Sequence, residues 1–587
     1  MGSYSKDSQV RGFKFLYVLA LLAIVAATLS SCSKNQPTAA AENSSFANAR
    51  IPDSRTMAGG YLAGRFAQRQ QDWDAAQKYM GAVLDHDQDN SLLAQRTFVL
   101  ALGSGNFTRA RELAGKISAA QDNSELALIF LGCDAISRND FTTALKYLDQ
   151  LPADGFGQYT KPLLTAWSLT GLGKKTAALK LLTDAAIADD PTYRLHAGLI
   201  EELAGNMNAA ARNYEAAMAN GLDLHAAVIV GNFYERYGQP EIARSIYQDL
   251  DKVYPFNPFV NALSNRDPRR NIAPNILRAA DGASLALFDL ATLLYAKRAY
   301  DSAQIYNNMV RLLNPQSPFA RLMMGDIASL HNQYGKAINE YNAIDKSAPV
   351  FWLSRIRVAE AYEASGQIDK SINMLIDISK DRATRVQALV SLGDTYRRHD
   401  QFENAIDAYN QALSGVAPIT PDHWPIIYAR GIARAQLNRW DLAEKDLLQA
   451  LAFQPKNPMI LNFIAYSWAD KGINLDKALE YAEYAAALRP DDGYILDSYG
   501  WTLFRLGRYQ ESIVWLELAV ERVPDDSTLL DHLGDAYWQM GRKNEARYQW
   551  KHANDLSRDP AFKKVVEQKL KHGIVVPGQI ERQQAKL

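Results

Sequence analysis

Residues 493–524 read GYILDSYGWTLFRLGRYQESIVWLELAVERVP, and their spacing decides the fold. A small residue, Gly500, is followed twelve positions later by Ser512. Gly507 and Tyr509 fall between them, and Pro524 stands twelve positions beyond Ser512. Two helices joined by a tight turn account for this order. Glycine supplies the left-handed backbone of the turn, and proline ends the second helix because it neither donates a hydrogen bond nor tolerates a helical residue before it.

The same phase recurs about every 34 residues on both sides. Towards the N-terminus the pairs are Gly64/Ala76, Gly132/Ala144, Ala166/Ala178, Gly198/Ala210 and Gly231/Ala243, then Ala291/Ala303, Gly325/Ala337, Ala359/Ser371, Gly393/Ala405, Gly431/Ala443 and Ala465/Ala478; Gly534/Ala546 follows on the other side. Phe98/Ala110 keeps the spacing without the first small side chain. Glycines recur at the turn (Gly105, Gly173, Gly205, Gly238, Gly366, Gly472, Gly541), and Pro255, Pro315, Pro349, Pro455 and Pro490 at the end. Small residues let two antiparallel helices approach, and each pair leaves an apolar face for the next pair to cover. The pattern resembles the tetratricopeptide repeat over roughly residues 57–558. That resemblance implies an all-α solenoid of about 14 helix-turn-helix repeats.

The phase breaks once. Gly231 and Ala291 are 60 residues apart, and the excess carries Pro258, Asp267-Pro268-Arg269-Arg270 and Pro274. The expected organisation is an N-terminal array over 57–255, a joint over 256–282 and a C-terminal array over 283–558, giving two superhelical halves. A linker and an ordered joint both fit the break, and Phe256, Phe259, Ile272 and Ile276 favour the joint. Residues 559–587 read as a capping helix, with Phe562, Val565, Val566 and Leu570 on its apolar face and a stop at Gly573, followed by a polar tail.

The first 31 residues read as a signal peptide. Lys6, Arg11 and Lys14 precede an apolar run from Phe15 to Leu29, which is short for a membrane span of about 20 residues. Leu29-Ser30-Ser31-Cys32 resembles a bacterial lipobox, in which the cysteine is acylated and becomes the mature N-terminus; an uncleaved signal anchor is the alternative. Ser33, where inner-membrane lipoproteins of enterobacteria carry Asp, favours the outer membrane. Residues 32–56, rich in Ala, Ser, Asn and Pro, form a flexible tether.

Composition excludes several functions. With 64 Lys+Arg against 65 Asp+Glu, the chain lacks the basic excess that displaces counterions from nucleic acid. Two cysteines cannot make a disulfide framework or a thiolate zinc site, and the nine histidines include no close pair, so no metal or cofactor is expected. Cys133 is expected to be a buried, inert thiol. Gly171-Leu172-Gly173-Lys174-Lys175-Thr176 has the wrong register for a phosphate loop. The acids of Asp85–Asp89 lack the glycine and the twelfth-position acid of a calcium loop. No hydrolase motif occurs, and no catalytic residue is assigned.

The repeats, the lipobox, the stretch Ala280–Ala291 and the run Ile495–Trp501 together resemble the large tetratricopeptide-repeat outer-membrane lipoproteins of proteobacteria. That group includes the lipoprotein adaptor of periplasmic carboxyl-terminal processing proteases. The resemblance implies an inert scaffold, anchored through Cys32, that tethers and activates a periplasmic serine protease and delivers cell-wall hydrolases to it. Assembly or export lipoproteins, serving secretins, outer-membrane insertion or polysaccharide export, are the second class. In tetratricopeptide repeats, the positions just after the first small residue, and four and five beyond it, face the groove. Here they give Tyr466, Trp501, Phe504, Arg505, Asp535 and Trp538 as the protein-binding set. Filling the gap between neighbouring first helices is the alternative role for these rings.

Overall fold

The computed structural model describes residues 56–574, apart from 121–123, 153, 154, 156, 184–189, 220–223, 255, 256, 258, 261, 262, 264–271, 382, 383 and 417. The signal segment, Cys32, nearly all of the tether, Pro255, Phe256, Pro258, residues 267–270 and the tail beyond Ile574 lie outside the described residues.

All regular structure among the described residues is helical. Fourteen antiparallel pairs run from Met57–Arg69 with Trp73–His86 to Ser527–Gln539 with Lys543–Leu556, and a single helix, Pro560–His572, follows. This is the all-α repeat solenoid that the spacing implies. Local chemistry starts the helices: Asp72, Asn90, Asn106, Asp140, Asp492 and Asp526 each accept a backbone N–H at an N-terminus, at about 1 kcal/mol each. Helices Tyr300–Leu313, Trp440–Phe453, Leu475–Leu488 and Tyr509–Arg522 stop two residues before a proline. Tyr334–Asn342 ends earlier, seven residues before Pro349, and Ile344 and Val350 are buried beyond it.

The glycines expected at the turns all have φ between 69° and 80°. Repeats without that glycine force the same turn on Gln71, Asn139, Arg298, Asn332, Asp400 and Asn438, at φ 56° to 61°. The small position of each first helix has a specific occupant sixteen residues on. Tyr214, Tyr247, Tyr341, Tyr409 and Trp550 lie against Gly198, Gly231, Gly325, Gly393 and Gly534, where a Cβ would come within 2.3–2.6 Å of a ring atom. In these five pairs the close approach of the helices is therefore also the seating of one large ring on bare backbone; Met80, Leu148, Leu447 and Leu516 take the same place against Gly64, Gly132, Gly431 and Gly500.

By contacts the chain forms two compact units, Met1–Thr384 and Arg385–Leu587. In the first unit, helices Ala279–Ala296 and Tyr300–Leu313 pack against first helices of the preceding array, among them Ser91–Gly103, Glu125–Ser137 and Gly157–Gly171. Of the joint, Phe259, Val260, Leu263 and Ile276 are buried, and Asn275 donates to the Ile229 carbonyl. In the second unit, Arg430 and Arg434 converge on buried Asp446 at 2.7–2.8 Å. Helix Pro560–His572 closes the last repeat with Val566 fully buried and Phe562 and Leu570 packed beside it. Val565, expected on that apolar face, is instead 55% exposed. It neighbours Val566 in sequence, and successive residues of a helix point about 100° apart.

Candidate functional site

The first helices of the N-terminal array face a helix of their own chain. Trp167, on Gly157–Gly171, donates its indole N–H to His196 Nδ1 at 2.9 Å. That fixes the proton of His196 on Nε2, which lies 3.3 Å from Asp289 of helix Ala279–Ala296. His225 approaches the other Asp289 oxygen at 3.6 Å. Burial pushes the Asp289 carboxyl up, and the two histidines more than offset this and hold it below its usual value. Gly282 passes so close to Trp167 that a Cβ there would lie 2.3 Å from the indole.

Further along, Gln304 donates to the Gly103 carbonyl at 2.8 Å, and Asn308 to those of Leu102 and Gly103. The Gly103 carbonyl, at the C-terminus of helix Ser91–Gly103, is satisfied by these side chains, while the Leu102 carbonyl accepts from the Gly105 N–H as well. Gln333 donates to the Gln71 carbonyl at 3.0 Å. A cleft of about 460 Å³ opens at this seam, but Arg311 and Arg321 on its wall are both engaged by Glu340. Within this unit, residues 279–313 cover the first helices Ser91–Gly103, Glu125–Ser137 and Gly157–Gly171.

The second unit differs. On first helices Pro458–Lys471, Gly493–Arg505 and Ser527–Gln539, the rings of Phe504, Trp501 and His532 stack in sequence. Their centroids are 4.8 and 4.0 Å apart and the planes are within 13°. Tyr466 lies 6.3 Å from His532, and Arg505 sits over Trp501 at 5.9 Å while donating to the Asp470 carbonyl. Trp501, Phe504, Arg505 and Tyr466 all remain partly exposed, and the Trp501 indole N–H has no acceptor. Burial, followed by the charges of Asp470, Asp497, Asp526 and Asp531, pushes the Tyr466 hydroxyl far up.

The structure thus brings four of the six expected residues together and sets two apart. Asp535 is buried, accepts from Trp550 Nε1 at 2.9 Å and is paired with Lys569 of the capping helix at 2.8 Å. Trp538 packs on Trp550 at 5.3 Å and against Gly573. Both belong to the closure of the last repeat. The residue on which the ring stack ends, His532, has no role in the sequence beyond being one of nine histidines without a close pair. Its signal was its offset of one repeat from Asp497, which holds His532 Nδ1 at 3.0 Å. No group of metal ligands forms among the described residues. Cys133 is fully buried, and burial raises its thiol well above the usual value, so it is unreactive.

The charged groups under this stack give a pH dependence. Burial, with Asp531 beside it, raises Asp535 from 3.8 to about 6 against the pull of Lys569. Burial lowers His532, but Asp497, Asp531 and Asp535 override it and raise the imidazole above 6.5. Both shifts favour the protonated form in the folded state. The stability they carry is therefore present at low pH and lost as pH rises, for Asp535 between 3.8 and about 6 and for His532 above 6.5. Asp535→Asn, neutral at every pH and still able to accept from Trp550, is expected to melt with wild type near pH 3, below the range in which Asp535 ionises, and about 2–4 °C or more above it at pH 8. Calorimetry at the two values checks this.

Comparison with known proteins agrees with the geometry. Models of the tetratricopeptide repeat match residues 386–414 and 474–527. A TPR repeat-containing protein of Pseudomonas aeruginosa is 27% identical over 201 residues, which are 34% of this chain and 33% of that protein. The chain therefore spans about a third of the length of this relative. Among solved structures, a chain of the APC/C hetero-tetramer Cut9–Hcn1 matches at 14% identity, covering 89% of this chain and 97% of that one with a TM-score of 0.38. Yeast Tom70 matches at 16% identity over 90% and 96% with a TM-score of 0.32. A tetratricopeptide repeat protein of Parabacteroides merdae matches at 17% identity over 44% and 98% with a TM-score of 0.35. The pairing of helices, the turn glycines and the matched repeats lead to one assignment: the chain folds as a tetratricopeptide-repeat α-solenoid, the fold of a protein-interaction scaffold.

Proposed function

We propose that this chain is a membrane-anchored adaptor of the periplasm, held at the outer membrane through lipid on Cys32. It tethers and activates a carboxyl-terminal processing protease and presents cell-wall hydrolases to it. The observation that carries the reading is the contrast between the two units. Residues 279–313 cover first helices Ser91–Gly103, Glu125–Ser137 and Gly157–Gly171 of one, whereas Trp501 and Phe504, stacked on buried His532 in the other, stay partly exposed. Partly buried rings with a nearby guanidinium are the residue types that anchor protein interfaces. The lipobox supports the anchor, and the tetratricopeptide relative in a proteobacterium supports the scaffold class.

Capture from detergent-solubilised envelopes with the full lipidated chain tests the reading. A periplasmic protease is expected, and with a protease-dead trap its cell-wall hydrolase substrates. Recovery of secretin or export subunits instead would move the protein to the assembly class. Hydrolysis by the purified chain alone would contradict both readings.

A further inference from the structure

The two ends of the repeat array are finished differently. Helix Pro560–His572 covers the last repeat. At the other end, helix Met57–Arg69 turns Gly60, Gly64 and Ala67 inward and leaves the opposite stripe open, with Leu62 66% and Phe66 65% exposed and Arg69 one turn further on. Arg96 of helix Ser91–Gly103 bonds the Tyr61 hydroxyl at 2.9 Å, and Arg65 bonds the same hydroxyl, whose acidity both guanidiniums raise. Helices Met57–Arg69 and Ser91–Gly103 carry Arg65, Arg69 and Arg96 and no Asp or Glu; the acids of the first repeat stand on its second helix and the loops around it. An apolar stripe flanked by arginine is the pattern of a helix that lies in a lipid interface.

We propose that this open end is a docking face for an anionic bilayer surface, with Leu62 and Phe66 entering the headgroup boundary and the arginines meeting lipid phosphates. Two observations select lipid over a protein partner. The charge is of one sign, complementary to an anionic leaflet. The face also begins 25 residues after Cys32, a tether whose root-mean-square span is about 30 Å if flexible, so an anchor at Cys32 keeps the face within reach of the membrane. The placement rests on the lipoprotein reading; the face itself does not, and the test removes the lipid.

The mature chain carrying Cys32→Ser is mixed with vesicles of equal parts phosphatidylethanolamine and phosphatidylglycerol, and with vesicles of phosphatidylcholine. Sedimentation with the anionic vesicles is expected, about tenfold weaker on phosphatidylcholine, and reduced about tenfold or more by Leu62→Glu with Phe66→Glu. Both side chains are exposed, so the double variant should keep its helix content and melting temperature, and circular dichroism verifies this. No sedimentation of the parent chain, or equal sedimentation of the double variant, overturns the proposal. So does dimerisation of the parent without vesicle binding, which would make a second copy the occupant. Vesicle binding that appears only after deletion of residues 33–56 would assign the face to the tether and also overturn it. Mass spectrometry of the wild-type N-terminus separately decides the lipidation of Cys32.

Discussion

The Gly282→Leu chain is expected to lose about 3 kcal/mol of stability or more, with the loss concentrated in the unit Met1–Thr384. A Cβ at this position would lie 2.3 Å from the Trp167 ring, and Trp167 is fully buried, so neither wall can give way. Relief comes from withdrawing helix Ala279–Ala296, which also breaks the His196–Asp289 contact and, if helix Tyr300–Leu313 moves with it, takes Gln304 and Asn308 from the Gly103 carbonyl. Denaturant unfolding should show a lower midpoint, and residues 279–313 should exchange amide hydrogens faster. A control separates this from a general effect on helix glycines. Gly81 also lies in a helix but has nothing within 4 Å of its Cβ position, and Gly81→Ala is expected to stabilise by up to about 1 kcal/mol. Equal behaviour of the two variants would mean that the helix is not seated against Trp167.

Tyr466→Ala combined with Trp501→Ala is expected to weaken capture of the partner by about 2–4 kcal/mol, or roughly 30- to 1,000-fold. The rings lie on neighbouring first helices on either side of His532, and both are partly exposed. The core of the last repeats, with Leu516, Leu533, Ala536, Trp550 and Val566, lies apart from them, so the double variant should keep its cooperative melting. Trp538→Ala supplies the contrast. It uncovers Trp550 and the Gly573 backbone, and its expected effect is on melting rather than on capture. Binding of the double variant at wild-type affinity, measured by titration calorimetry, would assign Tyr466 and Trp501 to packing between helices.

The repeat was legible because it is a matter of local spacing. Gly500, Ser512, Gly507 and Pro524 each answer to a short-range constraint, so their phase announces the helix pairs. Gln71 and Arg298 were not legible as left-handed turn residues, since their side chains carry no preference for that backbone and the packing of the pair imposes it. The large side chain sixteen residues after the first small residue, a ring such as Tyr341 on Gly325 or an aliphatic such as Leu516 on Gly500, is a fixed-offset signal that the twelve-residue pairing passed over.

The filled face of the first unit was harder to read. Its contacts join residues 93 to 206 positions apart, as in His196 with Asp289 and Asn308 with Leu102, and no period links them. The available signal was helix Ala279–Ala296 itself. It is apolar on nearly every side, with small residues at Ala279, Ala280, Gly282, Ala283 and Ser284 that are all buried, and a helix of that kind must be covered all round. Among the candidate site residues, position within the repeat puts Tyr466, Trp501, Phe504 and Arg505 near one another around His532. It could not show that Lys569, arriving from the capping helix 34 residues after Asp535, ties that carboxylate into the fold.

The account rests on a division of labour: one first-helix face closed by its own chain, another open to a partner. Amide hydrogen exchange of the full chain, alone and with the captured partner, measures that division most directly. Helices Ser91–Gly103, Glu125–Ser137 and Ala279–Ala296 should be strongly protected before the partner is added and unchanged afterwards, while new protection appears within Pro458–Lys471, Gly493–Arg505 and Ser527–Gln539. Fast exchange of residues 279–313 in the free chain, with protection of the N-terminal first helices only on adding the partner, would contradict it.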